Sequence, residues 1–275
     1  MPHTAILFPG QGSLTADAGE RARFLWPQLV DNAAELLGED PFERAAETTA
    51  SAQPAIFVAS LAAWHTSERS LDDVRAMAGH SLGELTALTA AGALDVDAAL
   101  RLVVLRGRLM ADAGGGTMLA LLGGVADAAR ELAAKHGVAI ANDNAPGQLV
   151  LSGGERQLKR LVPEARNAGF KTMELDVTGA FHSPAMVPAV EPFLAALRAT
   201  EIAEPQVPVI SGCTAQPFTD IRAELAAALI APVLWREVMQ TLVGLGADEF
   251  VDVGPGRVLA RLVKRNVEAA DVVAV

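Results

Sequence analysis

One stretch of the chain constrains its fold more than any other: an apolar run leads into Gly79-His-Ser-Leu-Gly83, and helix-forming residues follow. Asp72 to Ala78 is typical of a strand, and Glu84 to Ala91 is rich in residues that favour a helix. Glycines on both sides of Ser81 allow the close backbone approach that a sharp strand-to-helix turn requires. The stretch therefore predicts a strand, a tight turn and a helix.

Apolar runs elsewhere predict further strands of the same unit: Thr4 to Phe8, Val207 to Ile210 and Glu249 to Val253. Residues 117–177 follow a βαββαβ order, which is the signature of a ferredoxin-like unit. We therefore predict an α/β fold with two parts. Residues 1–116 and 178–275 form a large α/β-hydrolase-like domain with a central parallel sheet, and residues 117–177 form an inserted ferredoxin-like small subdomain.

Composition excludes several classes of function. The formal net charge of −11 argues against a nucleic-acid partner, because such binding neutralises phosphates with Lys and Arg. No Cys/His cluster has metal-ligand spacing, and no phosphate-binding or dinucleotide fingerprint is present, so we expect no metal and no cofactor. The chain has neither an apolar run of about 20 residues nor a basic leader, so we expect a cytoplasmic protein without a membrane span. We also expect a monomer in which the single cysteine, Cys213, is a small buried residue.

The residues around Ser81 suggest nucleophilic chemistry. A serine on such a turn exposes its hydroxyl, and the N–H of Leu82 at the following helix N-terminus is placed to stabilise an oxyanion. The hydroxyl needs a base, for which histidine is the usual choice. His80 adjoins the serine and is expected to order the turn, whereas His182 lies in a loop rich in Gly and Pro. From spacing alone, His182 fits a catalytic base and a structural histidine equally well.

At these residues the chain resembles the malonyl-CoA:acyl carrier protein transacylase family, which includes the acyltransferase domains of polyketide synthases. The likeness extends over essentially the whole chain. It rests on ordered motifs: Phe8-Pro-Gly-Gln-Gly-Ser13, Gln53-Pro54, Gly79-His-Ser-Leu-Gly-Glu84, Arg106-Gly107, Asn142 to Gln148, Gly179-Ala-Phe-His-Ser183 and Asp252-Val-Gly-Pro-Gly-Arg-Val-Leu259. After Ser13 the sequence departs from the family pattern, reading Leu14 to Gly19 where the family has Gln and then Gly-Met, so we expect one wall of the entrance to differ in shape.

The resemblance implies a catalytic set. Ser81 is the nucleophile and His182 its base, and the backbone N–H of Gln11 joins that of Leu82 in the oxyanion hole. A backbone carbonyl from the loop of residues 228–233, assigned to Ala228, replaces the carboxylate of the usual triad. On this reading the two nearby acids, Asp176 and Asp252, are structural.

The resemblance also implies a substrate site. Arg106 grips the free carboxylate of a malonyl group through its planar fork. Phe181 fills the space beside the α-carbon and favours malonyl over methylmalonyl, and His80 and Asn144 are included in the same site.

The partners implied are malonyl-CoA and an acyl carrier protein, whose acidic surface calls for a local basic patch. The candidates lie on one predicted helix: Arg257, Arg261, Lys264 and Arg265, with Arg236 nearby in sequence. Rival readings are a serine thioesterase or esterase, the transacylase component of a malonate decarboxylase, and a non-catalytic binding module. The residue that argues against hydrolysis is Arg106.

Overall fold

The computed structural model describes residues 3–268 and 270–275. In chain order the strands are β1 Thr4–Phe8, β2 Val74–Gly79, β3 Thr117–Leu122, β4 Ala139–Ala145, β5 Gln148–Gly153, β6 Lys171–Glu174, β7 Val209–Ile210, β8 Glu249–Asp252 and β9 Asp271–Ala274. The helices are α1 Ala18–Leu25, α2 Pro27–Leu37, α3 Thr49–His65, α4 Gly83–Ala90, α5 Val96–Ala113, α6 Ala126–His136, α7 Glu155–Asn167, α8 Val187–Ala199, α9 Ile221–Ala227, α10 Trp235–Gly244 and α11 Val258–Asn266.

Five strands form a parallel sheet in the order β7-β2-β1-β8-β9. β1 is buried along its whole length and β2 almost so, as expected for strands covered on both faces by helices. The register pairs Phe8 with Gly79 and Leu7 with Asp252, so β1, β2 and β8 end at the same edge. The loops that follow these strands meet at that edge, which is where open α/β sheets bind ligands.

The other four strands form a separate antiparallel sheet in the order β4-β5-β3-β6. Helices α6 and α7 pack on it around a core of their own, which includes Leu121, Leu151, Leu161 and Phe170. This βαββαβ arrangement is the ferredoxin-like one. The predicted α/β class, with a central parallel sheet and a second unit, is confirmed, whereas the division of the chain at 117 and 177 stays a prediction.

Helix α3 crosses the interior and is buried from Thr49 to Ala63 with little interruption. Helix α5 packs against it at Gly107, where an added Cβ would lie 3.1 Å from the carbonyl oxygen of Thr49. This close approach gives Gly107 a packing reason that the sequence did not reveal. It also fixes the position of its neighbour Arg106 on the buried side of α5.

Cys213, predicted to be buried, is only half-buried, because it lies in the turn after β7 with its Sγ near the hydroxyl of Ser211. Among the residues described, no helix is both long enough and apolar enough to cross a membrane.

Candidate active site

Ser81 lies between β2 and α4 in a left-handed backbone conformation with φ of 55°, which strains a non-glycine residue. The glycines around it are required by space. A Cβ on Gly79 would lie 1.9 Å from the carbonyl carbon of Gly83, and a Cβ on Gly83 would lie 2.1 Å from the carbonyl oxygen of Phe8. The turn thus exists only because β1, β2 and α4 approach one another without side chains between them, and this packing holds Ser81 in place.

His182 meets Ser81 across the edge of the parallel sheet. Its Nε2 lies 2.8 Å from the Ser81 Oγ, and its Nδ1 lies 2.8 Å from the Ala228 carbonyl oxygen and 3.1 Å from that of Ala231. Carbonyl oxygens only accept hydrogen bonds, so this network assigns the ring proton to Nδ1 and leaves Nε2 as the acceptor. The sequence pointed to Ala228 through the resemblance; the second carbonyl, of Ala231, was missed because backbone partners leave no signal in side-chain patterns.

The two carbonyls lie just beyond helix α9. The helix ends at Ala227, and the carbonyl of Ala227 accepts the N–H groups of Ile230 and Ala231 in the turn that follows. The carbonyls of Ala228 and Ala231 face the His182 ring. Among the described residues, His182 Nδ1 has these two carbonyls as hydrogen-bond partners and no carboxylate.

The His182 ring is kept neutral by its surroundings. Burial, together with the positive charges of Arg106 and of His80 when protonated, lowers the pKa of His182 to about 3, although the two carbonyls act in the opposite direction. Only 4% of His182 is exposed. A neutral imidazole is the form that can take a proton from a serine hydroxyl.

Arg106 reaches the same serine from α5. One guanidinium nitrogen, Nη2, donates to the Ser81 Oγ at 3.0 Å, and the other, Nη1, donates to the Gln53 Oε1 at 2.8 Å. Burial lowers the pKa of Arg106 to about 10, against the effect of the Glu84 carboxylate, so the side chain stays charged near neutral pH. Sequence reasoning missed the contact of Gln53 with the guanidinium, although Gln53-Pro54 was one of the family motifs.

These contacts fix the direction of the serine hydroxyl. Arginine has donors only, so the Ser81 Oγ accepts from Arg106 and its own hydrogen is free to point to His182 Nε2. The site therefore combines a hydroxyl, a neutral base and a buried fixed cation within hydrogen-bond distance. Such a set suits acyl transfer to and from an oxygen nucleophile.

Two backbone N–H groups, those of Leu82 and Gln11, were predicted to form an oxyanion hole. Leu82 is the N-cap of α4, and Gln11 lies in the loop after β1, with its side chain bonded to Thr49. Within residues 3–268 and 270–275, neither N–H donates a hydrogen bond to another protein group. The Leu82 N–H lies at a helix N-terminus, a position suited to a developing negative charge. The oxyanion-hole roles of Leu82 and Gln11 stay predictions.

The predicted substrate residues His80 and Asn144 contact each other. His80 Nε2 lies 2.9 Å from the Asn144 Oδ1, and its ring lies 5.3 Å from that of Trp235. The hydrogen bond between His80 and Asn144 joins the Ser81 turn to β4, and neither side chain is hydrogen-bonded to Ser81. Phe181 is buried next to His182, with its ring against Gly179. Their roles toward a substrate stay predictions.

The two acids that the sequence reading set aside have different surroundings. Asp252 is buried, its Oδ2 accepts the Ala260 N–H at 2.8 Å in the first turn of α11, and burial raises its pKa to about 6. Asp176 is exposed and lines a cleft of about 700 Å³ that adjoins Gln11 and Thr49. Leu14 and its neighbours, where the chain departs from the family pattern, line the same cleft.

The four candidate docking cations are all exposed along α11 and its N-cap: Arg257, Arg261, Lys264 and Arg265. Arg265 also donates to Gln148 and to the carbonyl oxygen of Pro146, at the turn between β4 and β5. Arg236 is engaged elsewhere, since it donates to Asp143 at 2.8 Å. No cluster suited to a metal ion is found in the part of the chain that the structure describes.

Fold and site together define a class: an α/β protein with a serine on a strand-to-helix turn whose hydroxyl lies within hydrogen-bond distance of a histidine and an arginine. A model of the acyl transferase domain matches residues 27–275. The malonyl CoA-acyl carrier protein transacylase of Bacillus subtilis is 37% identical, over 96% of this chain and 90% of the relative. The chain belongs to this acyltransferase family of malonyl-CoA:acyl carrier protein transacylases, as its motifs predicted.

Solved structures agree with this assignment. The malonyl-CoA:acyl carrier protein transacylase of Xanthomonas oryzae superposes with a TM-score of 0.92 at 33% identity, covering 100% of this chain and 94% of that one. A malonyl-transacylase solved in complex with a type II polyketide acyl carrier protein superposes with a TM-score of 0.89 at 32% identity, covering 99% and 96%.

Proposed function

We propose that this protein transfers a malonyl group from coenzyme A to the phosphopantetheine thiol of an acyl carrier protein through an ester on Ser81. The observation that carries the proposal is the position of the Ser81 Oγ between His182 Nε2 at 2.8 Å and Arg106 Nη2 at 3.0 Å. A nucleophile and base alone would serve a hydrolase equally well. The buried cation beside them supports an acyl group that carries its own carboxylate.

The first half of the reaction loads the serine. His182 Nε2 takes the hydroxyl proton as the Ser81 Oγ attacks the thioester carbonyl carbon, and the oxyanion is stabilised by the N–H groups of Leu82 and Gln11. The intermediate collapses when the carbon–sulfur bond breaks, and the proton on His182 neutralises the departing thiolate. In the second half the carrier thiol gives its proton to His182 and attacks the ester, and Ser81 recovers its hydrogen.

Arg106 supplies selectivity in this scheme. Its guanidinium is held by Gln53 and can exchange its bond to Ser81 for a bond to the malonyl carboxylate. An acetyl group has no carboxylate to offer this cation, so acetyl-CoA gains none of the charge-assisted hydrogen bonds that malonyl-CoA gains. Phe181 is buried next to His182 in the chain, and we propose that its ring limits the room for a branch at the α-carbon. These features support malonyl over acetyl and methylmalonyl.

The carrier protein is proposed to dock on the exposed cations of α11, Arg257, Arg261, Lys264 and Arg265. The turn before this helix packs on the loop that holds Gln11, since a Cβ on Gly256 would lie 2.6 Å from the Ser13 carbonyl oxygen. The basic face therefore starts next to the rim of the site. Opposite charge on the partner would steer a long phosphopantetheine arm toward Ser81.

Intact-mass spectrometry tests the transfer directly. The protein is mixed with malonyl-CoA, acetyl-CoA and methylmalonyl-CoA together, and we expect a malonyl adduct that moves to added holo acyl carrier protein. Ser81→Ala should form no adduct, and Arg106→Lys, which keeps the charge but not the fork, should lose the preference for malonyl by ~10-fold or more. Release of free coenzyme A without transfer to the carrier would contradict the proposal and favour a hydrolase.

A further inference from the structure

Glu84 is a buried carboxylate for which the mechanism above has no use. It lies one helical turn after Ser81, in the first turn of α4, and only 2% of it is exposed. Burial raises its pKa to about 7, although the Gly212 N–H and the charge of Arg106 both lower it. Removing an ionisable side chain from water costs free energy, so a carboxyl group buried this close to Ser81 suggests a role that offsets the cost.

The side chain makes one long-range hydrogen bond. Its Oε1 accepts the backbone N–H of Gly212 at 2.7 Å, which ties α4 to the loop after β7. The carbonyl of Gly212 in turn accepts the N–H of Leu234 at 2.7 Å. Leu234 is the last residue of the segment 228–234, which contains both carbonyls that face His182 and is called the orienting segment here.

The same segment is anchored from its other side by β4. The N–H of Val233 donates to the Ala141 carbonyl at 2.8 Å, and the Val233 carbonyl accepts the N–H of Asp143 at 2.9 Å. The orienting segment is therefore held between the nucleophile helix, through Glu84 and Gly212, and the antiparallel sheet. A shift of the Gly212 loop, which Glu84 holds, would move the carbonyls of Ala228 and Ala231 relative to the imidazole.

We propose that Glu84 is a positioning residue: its carboxylate oxygen fixes the Gly212 loop, and through it the orienting segment, so that His182 keeps its Nδ1 proton and its aim at Ser81. The inference rests on the proposed function of Ser81 and His182. It requires the acceptor oxygen and not the negative charge. The negative charge of Glu84 raises the pKa of Arg106, and the charge of Glu224 raises the pKa of Glu84. The effect of the Glu84 charge therefore has to be separated from the effect of its hydrogen bond to Gly212.

Two variants separate them. Glu84→Gln keeps an oxygen at the same reach and removes the charge, whereas Glu84→Asp keeps the charge and is one methylene too short to reach Gly212. We expect Glu84→Gln to acylate Ser81 with malonyl-CoA at close to the wild-type rate. Glu84→Asp should lose ~10-fold or more in kcat, with KM within about twofold, because a displaced base acts on the chemical step and not on binding.

A spectroscopic measurement excludes a merely structural effect. The Nδ1 proton of His182, observed by nitrogen-edited NMR, should keep its position in Glu84→Gln and shift or broaden in Glu84→Asp, while both variants unfold at similar temperatures. A wild-type rate and an unchanged Nδ1 signal in Glu84→Asp would overturn the proposal, as would a slow Glu84→Gln enzyme with normal Glu84→Asp. If the wild-type protein itself forms no malonyl ester, it is the proposed function that fails.

Discussion

At the level of single residues, the site works by restricting what each group can do. Arg106 can only donate, the carbonyls of Ala228 and Ala231 can only accept, and these facts alone set the proton positions on Ser81 and His182. No carboxylate is needed to hold the imidazole. A carboxylate there would also stabilise the imidazolium and raise its pKa, whereas carbonyls orient the ring with a weaker effect on its basicity.

This electrostatic setting predicts an unusual pH profile. The pKa of His182 is lowered to about 3 by burial and by Arg106, so the free enzyme retains its neutral base far below neutral pH. The acid limb of kcat/KM for malonyl-CoA, followed by acylation of Ser81, should therefore lie below about pH 5 and not near the ordinary histidine value of about 6.5.

A charge-removing variant provides the control for this profile. Arg106→Gln takes away the cation that opposes protonation of His182, so its acid limb, measured with acetyl-CoA, should move upward in pH. An acid limb near 6.5 in the wild-type protein would contradict the assignment of a buried neutral base. No movement in Arg106→Gln would contradict the contribution of the Arg106 charge.

At the level of elements, the position of Ser81 depends on how closely β1, β2 and α4 approach. Gly83 touches the Phe8 carbonyl of β1, and Gly79 touches Gly83, so the serine turn is locked by main-chain contact alone. The pattern of flanking glycines made this much predictable from the sequence. The close crossing of α3 and α5 at Gly107 was not, because it depends on which helices meet in space.

Replacing Gly83 tests the packing of the turn. A Cβ at this position would meet the Phe8 carbonyl oxygen at 2.1 Å, so Gly83→Ala should cost ~3 kcal/mol or more of stability and displace Ser81. Gly244→Ala is the matched control, since Gly244 is also helical and nothing lies within 4 Å of its added Cβ. Thermal unfolding and the rate of Ser81 acylation measure both effects; equal melting temperatures of the two variants would refute the steric account.

Sequence and structure differ most where contacts join distant elements. Ser81, His182 and Arg106 stand in motifs, so their convergence was predictable once the family was recognised. The side-chain contacts of Gln53 and Glu84 and the carbonyl of Ala231 were not assigned, although two of the three lie in quoted motifs. Gln53 contacts Arg106 on another helix, Glu84 accepts from the N–H of Gly212 more than one hundred residues away, and the Ala231 carbonyl faces the His182 ring. No local sequence pattern encodes such pairs.

On the scale of the whole molecule, charge and topology are matched to the proposed reaction. The chain carries a net charge of −11, so an acidic partner would be repelled by most of its surface. The cations of α11 are exposed and begin next to the loop that holds Gln11. A partner steered by charge to these cations would make contact beside the site.

Charge reversal tests this arrangement. Arg261→Glu with Lys264→Glu should lower kcat/KM for the carrier protein by ~10-fold or more at low salt and flatten its salt dependence, because steering acts on association. Loading of Ser81 from malonyl-CoA should stay unchanged. The control pair, Arg101→Glu with Arg198→Glu, alters net charge equally on exposed faces of α5 and α8. Equal losses in both pairs would show that overall charge, and not the α11 face, governs docking.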